Sequence, residues 1–126
     1  MRWSPLPEDC YKANFGVAFF EGLGSARVGI VYCDHTGQVI AALRQNIGSI
    51  QPVEMAEALA ARSAVIFARE LSLFRVIIEG DCLRVIQVLN CTGRCHTLFG
   101  HITNETKRLG GTLRNCSSMF DEKGIG

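Results

Sequence analysis

Long apolar runs and an excess of one charge are both missing from this sequence. No stretch approaches the roughly 18 apolar residues that a membrane-spanning helix needs, and the first ten residues hold no apolar core of a secretion signal. The 13 basic and 12 acidic side chains leave a net charge of +1, which disfavours tight, non-specific binding to duplex nucleic acid. We therefore expect an intracellular protein without membrane contacts, and nothing distinguishes nucleus from cytoplasm.

Several common site motifs are also missing. The chain has no Gly-rich phosphate loop, no Ser–His–Asp order and no nucleophilic-cysteine motif. Among its six cysteines, only Cys91 and Cys95, followed by His96, have a spacing that invites zinc, and no second pair follows at a finger-like distance. We therefore expect no structural zinc, and we expect reduced cysteines that serve as small buried apolar side chains.

The hydrophobic pattern of the 126 residues predicts one domain with an α/β fold. Three strands joined by short turns form an antiparallel meander, and a helix–strand–helix unit then adds a parallel neighbour through a crossover. The predicted strands span residues 11–20, 26–33, 38–44, 74–78 and, weakly, 113–120, and the predicted helices span residues 52–71, 83–89 and about 97–109. The predicted domain covers residues 11–120, between an extended segment at 1–10 and a divergent tail at 121–126.

The long helix carries a single charged residue, Glu57, on its apolar face. At about 3.6 residues per turn, the other residues on that face are apolar: Val53, Ala56, Ala60, Ala64, Phe67, Ala68 and Leu71. A carboxylate there must be paired, bound to a cation or protonated, because burying it bare is costly. Glu57 is thus a candidate functional residue. Alternatively, it lies close enough to the end of the helix for water to reach it.

A second acid, Asp81, stands between the predicted strand at residues 74–78 and the helix that follows. In α/β sheets, ligands collect at the carboxyl ends of strands. The alternative role is that of a helix N-cap, for which Asp is among the best residues. A long helix packed across the sheet would bring Glu57 over the strand end that carries Asp81. We therefore take the two acids together as candidate catalytic and metal-binding residues.

Several short segments between residue 3 and about residue 109 match one family pattern in the same order. They are Trp3-Ser4-Pro5-Leu6-Pro7, Lys12-Ala13-Asn14-Phe15, Gly29-Ile30-Val31, Asp34-His35-Thr36-Gly37-Gln38-Val39, Glu57-Ala58-Leu59-Ala60-Ala61-Arg62, Val76-Ile77-Ile78-Glu79-Gly80-Asp81 and Phe99-Gly100-His101-Ile102. With these segments the chain resembles the plant ribonuclease H-like, reverse-transcriptase-associated domain family, in a C-terminally truncated form. The resemblance implies a ribonuclease H-like mixed sheet with flanking helices. It also implies Mg²⁺-dependent hydrolysis of the RNA strand in RNA–DNA hybrids, which would be the partner.

By the same resemblance, the catalytic centre holds two Mg²⁺ ions about 3.5–4 Å apart on four acidic residues. The acid on the first long helix matches Glu57, and the acid that ends the fourth strand matches Asp81. Gly16 occupies the position of the first-strand aspartate, and the chain ends before the family's final helix, which carries the fourth acid. Two acids imply that Mg²⁺ is held weakly or not at all and that activity is impaired. Whether the chain is an enzyme therefore stays open, and the alternative is a catalytically inactive binding or interaction module, or a remnant.

Further polar residues offer contacts for nucleic acid, namely Asn14, Ser25, Arg27 and Arg84. Each also has the ordinary interpretation of a solvated side chain, because phosphate contacts cannot be recognised without geometry. His96 and His101 are candidate proton shuttles, with a structural role as the alternative for His101 at a helix start.

Overall fold

Five strands and three helices make up the part of the chain that the structure describes. This computed structural model describes residues 8–20, 22, 24–49, 52–73, 75–90, 100–110 and 120–122. In chain order the elements are β1 (Tyr11–Phe20), β2 (Ser25–Cys33), β3 (Val39–Ser49), α1 (Val53–Glu70), β4 (Val76–Gly80), α2 (Leu83–Asn90), α3 (Gly100–Gly110) and β5 (Phe120–Glu122). None of the helices within these described ranges is long and apolar enough to cross a membrane.

The five strands lie in one mixed sheet with the order β3-β2-β1-β4-β5. β1 pairs antiparallel with β2, and β2 pairs antiparallel with β3. β4 pairs parallel with β1, and β5 pairs parallel with β4. Helix α1 connects β3 to β4, since a parallel neighbour needs a crossover rather than a tight turn. The predicted meander with an added parallel strand and flanking helices is therefore confirmed.

Helix α1 packs on one face of the sheet. Its buried residues share a core with alternate residues of β1, β2 and β4, because successive strand side chains point to opposite faces: Ala13, Phe15, Val28, Ile30, Tyr32, Val76 and Ile78. The Tyr32 hydroxyl donates a hydrogen bond to the Ala64 carbonyl oxygen at 2.8 Å. This bond ties the middle of the helix to β2, while the small alanine side chains let the helix approach the strands closely.

The buried stripe of α1 is wider and shorter than the sequence predicts. Val53 and Leu71, which the periodicity places on the core face, are 59% and 44% exposed, because they lie at the two ends of the helix. Ala58 and Val65 are fully buried as well, because α3 packs against α1 in addition to the sheet. The helix that carries Glu57 is therefore covered on two sides.

Both edges of the sheet differ from the sequence-based prediction. β3 continues past residue 44 to Ser49, because an edge strand keeps polar side chains such as Gln45 in water. At the other edge, Phe120–Glu122 forms β5, so part of the tail predicted at 121–126 belongs to a strand. Residues 97–99 of the predicted last helix and 113–119 of the predicted last strand lie outside the described residues.

The three cysteines in the described ranges do not share one chemical state. Cys10 is fully buried and disulfide-bonded, whereas Cys33 and Cys82 are free thiols. The expectation of reduced cysteines is therefore wrong for Cys10. The spacing that invites zinc, at residues 91–96, lies outside the described residues.

β1 and β4 meet at a close contact between Phe15 and Gly80. Phe15 is 2% exposed, and its ring fills the space in which a side chain at Gly80 would stand. A Cβ built on Gly80 would lie 2.5 Å from the Cε2 atom and 2.7 Å from the Cε1 atom of Phe15. Only glycine therefore lets this ring complete the core at the end of β4, immediately before Asp81.

We expect Gly80→Ala to destabilise the protein by about 1–3 kcal/mol, because an added methyl group overpacks the core around Phe15. Gly29→Ala is the matched control, since a Cβ at Gly29 meets no atom within 4 Å. It should leave the free energy of unfolding unchanged or raise it by less than about 1 kcal/mol. Urea unfolding followed by circular dichroism measures both variants, and equal effects would contradict a tight contact at Gly80.

Candidate functional site

Glu57 lies near the start of α1 with only 8% of its surface exposed. Its neighbours Ala56 and Ala58 are fully buried, so this turn of the helix lies inside the protein. The Oε2 atom is buried and has no hydrogen-bond partner among the described residues. A buried carboxyl oxygen without a donor calls for a proton or a cation.

Asp81 follows β4 directly and comes before α2, and its side chain is exposed. All five residues of β4 are buried, so the chain reaches solvent only after Gly80. Asp81 therefore lies at the carboxyl end of β4, at the point where the backbone leaves the core.

The two carboxyl groups affect each other electrostatically. Burial raises the pKa of Glu57 from 4.5 to about 7, and the negative charge of Asp81 adds to the rise. Because such an influence weakens with distance and with screening, the two groups share one region at this edge of the sheet. The structure thus brings the two sequence candidates together, and at neutral pH Glu57 is divided between its protonated and ionised forms.

Gly16 and Asp81 lie just beyond the aligned part of β1 and β4. The last aligned pair of the parallel register is Asn14 with Glu79, and the same register continued by two residues brings Gly16 level with Asp81, which follows the end of β4. A Cβ at Gly16 would meet no atom within 4 Å, so the backbone leaves room for a larger side chain. The position at which the family pattern has an aspartate is therefore open and next to Asp81.

Glu57 and Asp81 are two carboxyl groups that a divalent cation can use as ligands. Mg²⁺ binds through one or two carboxylates and keeps several water molecules. The Oε2 atom of Glu57, which has no hydrogen-bond partner within the described ranges, suits it as a ligand. Across the described ranges, no three His, Cys, Asp or Glu side chains are grouped so that they could hold a metal ion. Glu57 and Asp81 alone thus offer the donor set of a single hydrated Mg²⁺.

The sequence patterns did not predict a buried ion pair between Lys12 and Glu79. It lies on the face of the sheet opposite α1, where the Nζ atom of Lys12 is 3.5 Å from the Oε2 atom of Glu79 and the side chains are 12% and 5% exposed. The Oδ1 atom of Asn14, which is aligned with Glu79, is buried without a hydrogen-bond partner among the described residues. In the sequence, this ion pair was indicated only by Glu79, a single acid in an otherwise apolar strand.

The remaining sequence candidates are spread over the molecule. Arg27 lies in β2 with its guanidinium carbon 5.1 Å from the centre of the Phe20 ring, and Ser25 begins the same strand. Only the backbone positions of Arg84 and His101, in α2 and α3, are described, and residue 96 lies outside the described residues. The proposed roles of these residues in nucleic-acid binding and proton transfer stay predictions.

The sequence profile of a family described as reverse transcriptase-like matches residues 14–122. Among solved structures, the chain is similar to ribonuclease H1 from the archaeon Halobacterium salinarum, with a TM-score of 0.76 at 20% identity over 90% of this chain and 86% of that chain. It is also similar to the N-terminal ribonuclease H domain of a Mycobacterium tuberculosis protein, with a TM-score of 0.74 at 14% identity over 92% and 84%. LC11 ribonuclease H1 in complex with an RNA/DNA hybrid gives a TM-score of 0.62 at 13% identity over 89% and 83%.

No curated protein matches the chain. Identities of 13–20% to the solved structures establish the fold alone. That fold is ribonuclease H-like, as the sequence predicts.

In metal-free buffer, we expect wild-type stability to depend on pH in a way that Glu57→Gln removes. Below pH 4.5, Glu57 is protonated in both the folded and the unfolded chain. Its pKa is about 7 in the folded chain, so between pH 4.5 and 7 the carboxyl group ionises in the unfolded chain while it stays protonated in the folded one. The wild type should therefore lose about 3 kcal/mol of stability over this range, and Glu57→Gln should not.

The measurement is urea unfolding in EDTA between about pH 4.5 and 8. The control is Glu70→Gln, which removes an exposed glutamate from the other end of the same helix and should keep the wild-type pH dependence. A wild-type stability that stays level across this range would mean that Glu57 ionises as readily in the folded protein as in water.

Proposed function

Because the chain belongs to the reverse transcriptase-like family, we propose that it is a ribonuclease H-type domain that binds RNA–DNA hybrids. The observation that carries the proposal is the buried carboxyl group of Glu57, whose Oε2 atom lacks a hydrogen-bond partner among the residues that the structure describes and whose pKa is raised by burial and by Asp81. A carboxyl group so perturbed, beside a second acid at a strand end, is typical of a functional site. A solved structure of the same fold is in complex with an RNA/DNA hybrid, which supports this class of partner.

The proposed activity is Mg²⁺-dependent hydrolysis of the RNA strand, with Glu57 and Asp81 as the residues that hold the cation. When bound, Mg²⁺ supplies positive charge to the phosphate group and lowers the pKa of a water molecule. Asp81 is exposed at the sheet edge and therefore offers its carboxylate to a cation that still carries water. Glu57 offers a second oxygen from the protein side, where apolar residues exclude solvent.

Glu57 also links the site to pH. Its pKa of about 7 means that a large share of the protein must release a proton from this group before a cation can bind at neutral pH. Loss of the proton and binding of the cation are therefore coupled at this one side chain.

Hydrolysis by this chain is proposed to be slow. Gly16 stands level with Asp81, where a carboxylate would complete the cluster, and glycine offers no ligand. No group of three potential metal ligands occurs in the described part of the chain, and a single cation stabilises fewer of the charges that develop during phosphate transfer than two cations do. The alternative function, a binding module without catalysis, is favoured by Gly16, which offers no side-chain ligand.

The proposal also includes a subgroup of the family and a cellular compartment. The segments around Glu57 and Asp81 support a place among the plant members of the family. The free thiols of Cys33 and Cys82 support a reducing, intracellular compartment, whereas the disulfide bond of Cys10 does not.

The test is incubation with a labelled RNA–DNA hybrid in Mg²⁺ or Mn²⁺, followed by gel-shift and cleavage assays. We expect the wild type to shift the hybrid and to cleave its RNA strand slowly. Asp81→Asn should abolish cleavage, because it removes a charged ligand of the cation. Gly16→Asp should raise the cleavage rate by at least about ten-fold, the lower end of what a group that supports a metal ion contributes.

Gly16→Asn is the matched control, since the asparagine side chain has nearly the size of aspartate but no charge, and it should not show the increase in cleavage rate expected for Gly16→Asp. A gel shift without cleavage by both the wild type and Gly16→Asp would favour the binding module. If the wild type neither binds nor cleaves the hybrid, the proposed function is contradicted.

A further inference from the structure

An open groove lies on the face of the sheet that α1 does not cover. It encloses about 420 Å³, which is within the range of small-ligand sites, roughly 300–1,000 Å³. Phe15 and Ile30 belong to the core shared with α1, so Gly16 and Gly29 face the opposite way, because side chains alternate along a strand. We call this space the sheet-face groove, and the lining residues used below are Gly16, Ala18, Phe20, Arg27, Gly29 and Arg44.

Two arginines supply the charge of the sheet-face groove, and none of its described lining residues is acidic. Arg27 of β2 is aligned with Asn46 of β3, and Gly29 is aligned with Arg44. The two arginines are therefore diagonal neighbours on one face, with Cα atoms about 7–8 Å apart. In the described ranges neither of them forms an ion pair. Two guanidinium groups at this spacing attract a phosphate group, which each can bind through two hydrogen bonds.

Phe20 holds Arg27 in place. The guanidinium carbon lies 5.1 Å from the centre of the ring, within the range of a cation–π contact. Phe20 is still 39% exposed, so part of the ring remains available to a ligand. Because the guanidinium group is oriented before a ligand arrives, less side-chain freedom is lost on binding.

The floor of the sheet-face groove is flat because it is made of residues with little or no side chain. Gly16 and Gly29 are paired across β1 and β2, and a Cβ at either position would meet no atom within 4 Å. Ala18 continues the same face along β1. Glycines within strands are typical of sites where a ligand approaches the backbone closely, and this floor accepts a planar ring.

We propose that the sheet-face groove binds one nucleotide of a single-stranded nucleic acid, with the phosphate between Arg27 and Arg44 and the base on the floor formed by Gly16 and Gly29. Single-strand binding combines basic side chains for the backbone with flat surfaces on which bases stack, and the groove offers both. An acidic peptide would use the arginines and leave the flat floor empty. The site shares Gly16 with the region beside Asp81. It goes beyond the proposed function because neither Glu57 nor Asp81 lines it and no divalent cation is needed.

The experiment is fluorescence anisotropy of a labelled deoxythymidine decamer with the full chain in EDTA. Arg27→Ala and Arg44→Ala should each weaken the affinity by about ten-fold or more, as expected for loss of a charge-assisted hydrogen bond. Gly29→Val keeps the charge but fills the floor, and it should weaken the affinity by about five-fold or more through lost stacking. Arg69→Ala is the matched control: Arg69 is exposed on α1, across the sheet, and its loss should change the affinity by less than about two-fold.

Three results would overturn the proposal. They are absence of decamer binding by the wild type, an equal loss for Arg69→Ala and the groove variants, and equal displacement of the decamer by polyglutamate at matched charge. The last result would mean that the arginines bind any polyanion, an acidic peptide included.

A measurement on the wild-type protein tests the same proposal without requiring that any variant folds. In a nitrogen-15 NMR titration with the same decamer, the amide signals of Gly16 and Gly29 should shift, whereas those of α1 should not. Shifts confined to α1, or the absence of shifts at both glycines, would also overturn the proposal.

Discussion

The parallel pairing of β1 with β4 is the constraint on which the rest of the structure depends. The two strands pack closely because the ring of Phe15 in β1 fills the space above Gly80 in β4. The register of the strand pair aligns Asn14 with Glu79. This register fixes the point at which β4 ends and Asp81 leaves the sheet. Helix α1 packs across the same strands and brings Glu57 close enough for the charge of Asp81 to raise its pKa.

Glu57 lowers the stability of the fold that positions it. The carboxyl group is buried, and its Oε2 atom has no hydrogen-bond partner in the part of the chain that the structure describes, so ionisation of Glu57 works against folding. A protein of this size has only about 5–15 kcal/mol of stability, and this one group uses a substantial part of it. A cation that binds the ionised carboxylate would return that stability, because a ligand of the folded state stabilises it.

Hydrophobic periodicity was enough to predict the meander, α1 and β4, and it placed Glu57 on a buried helix face and Asp81 at a strand end. Such patterns are local, because one face of each element repeats along the chain. They fail where burial comes from a distant part of the chain. Ala58 is buried because α3 packs on α1, and no pattern within α1 indicates a second neighbour. The ion pair of Lys12 with Glu79 depends on a register between strands that are far apart in sequence.

The most direct test of a shared site is a carbon-13 NMR titration of the Glu57 carboxyl group in metal-free protein, for the wild type and for Asp81→Asn. We expect the wild-type midpoint near pH 7. In Asp81→Asn the midpoint should be lower, yet still above 4.5, because burial is the larger cause of the raised pKa. A midpoint that the substitution leaves unchanged would mean that the two carboxyl groups are too far apart to bind one cation.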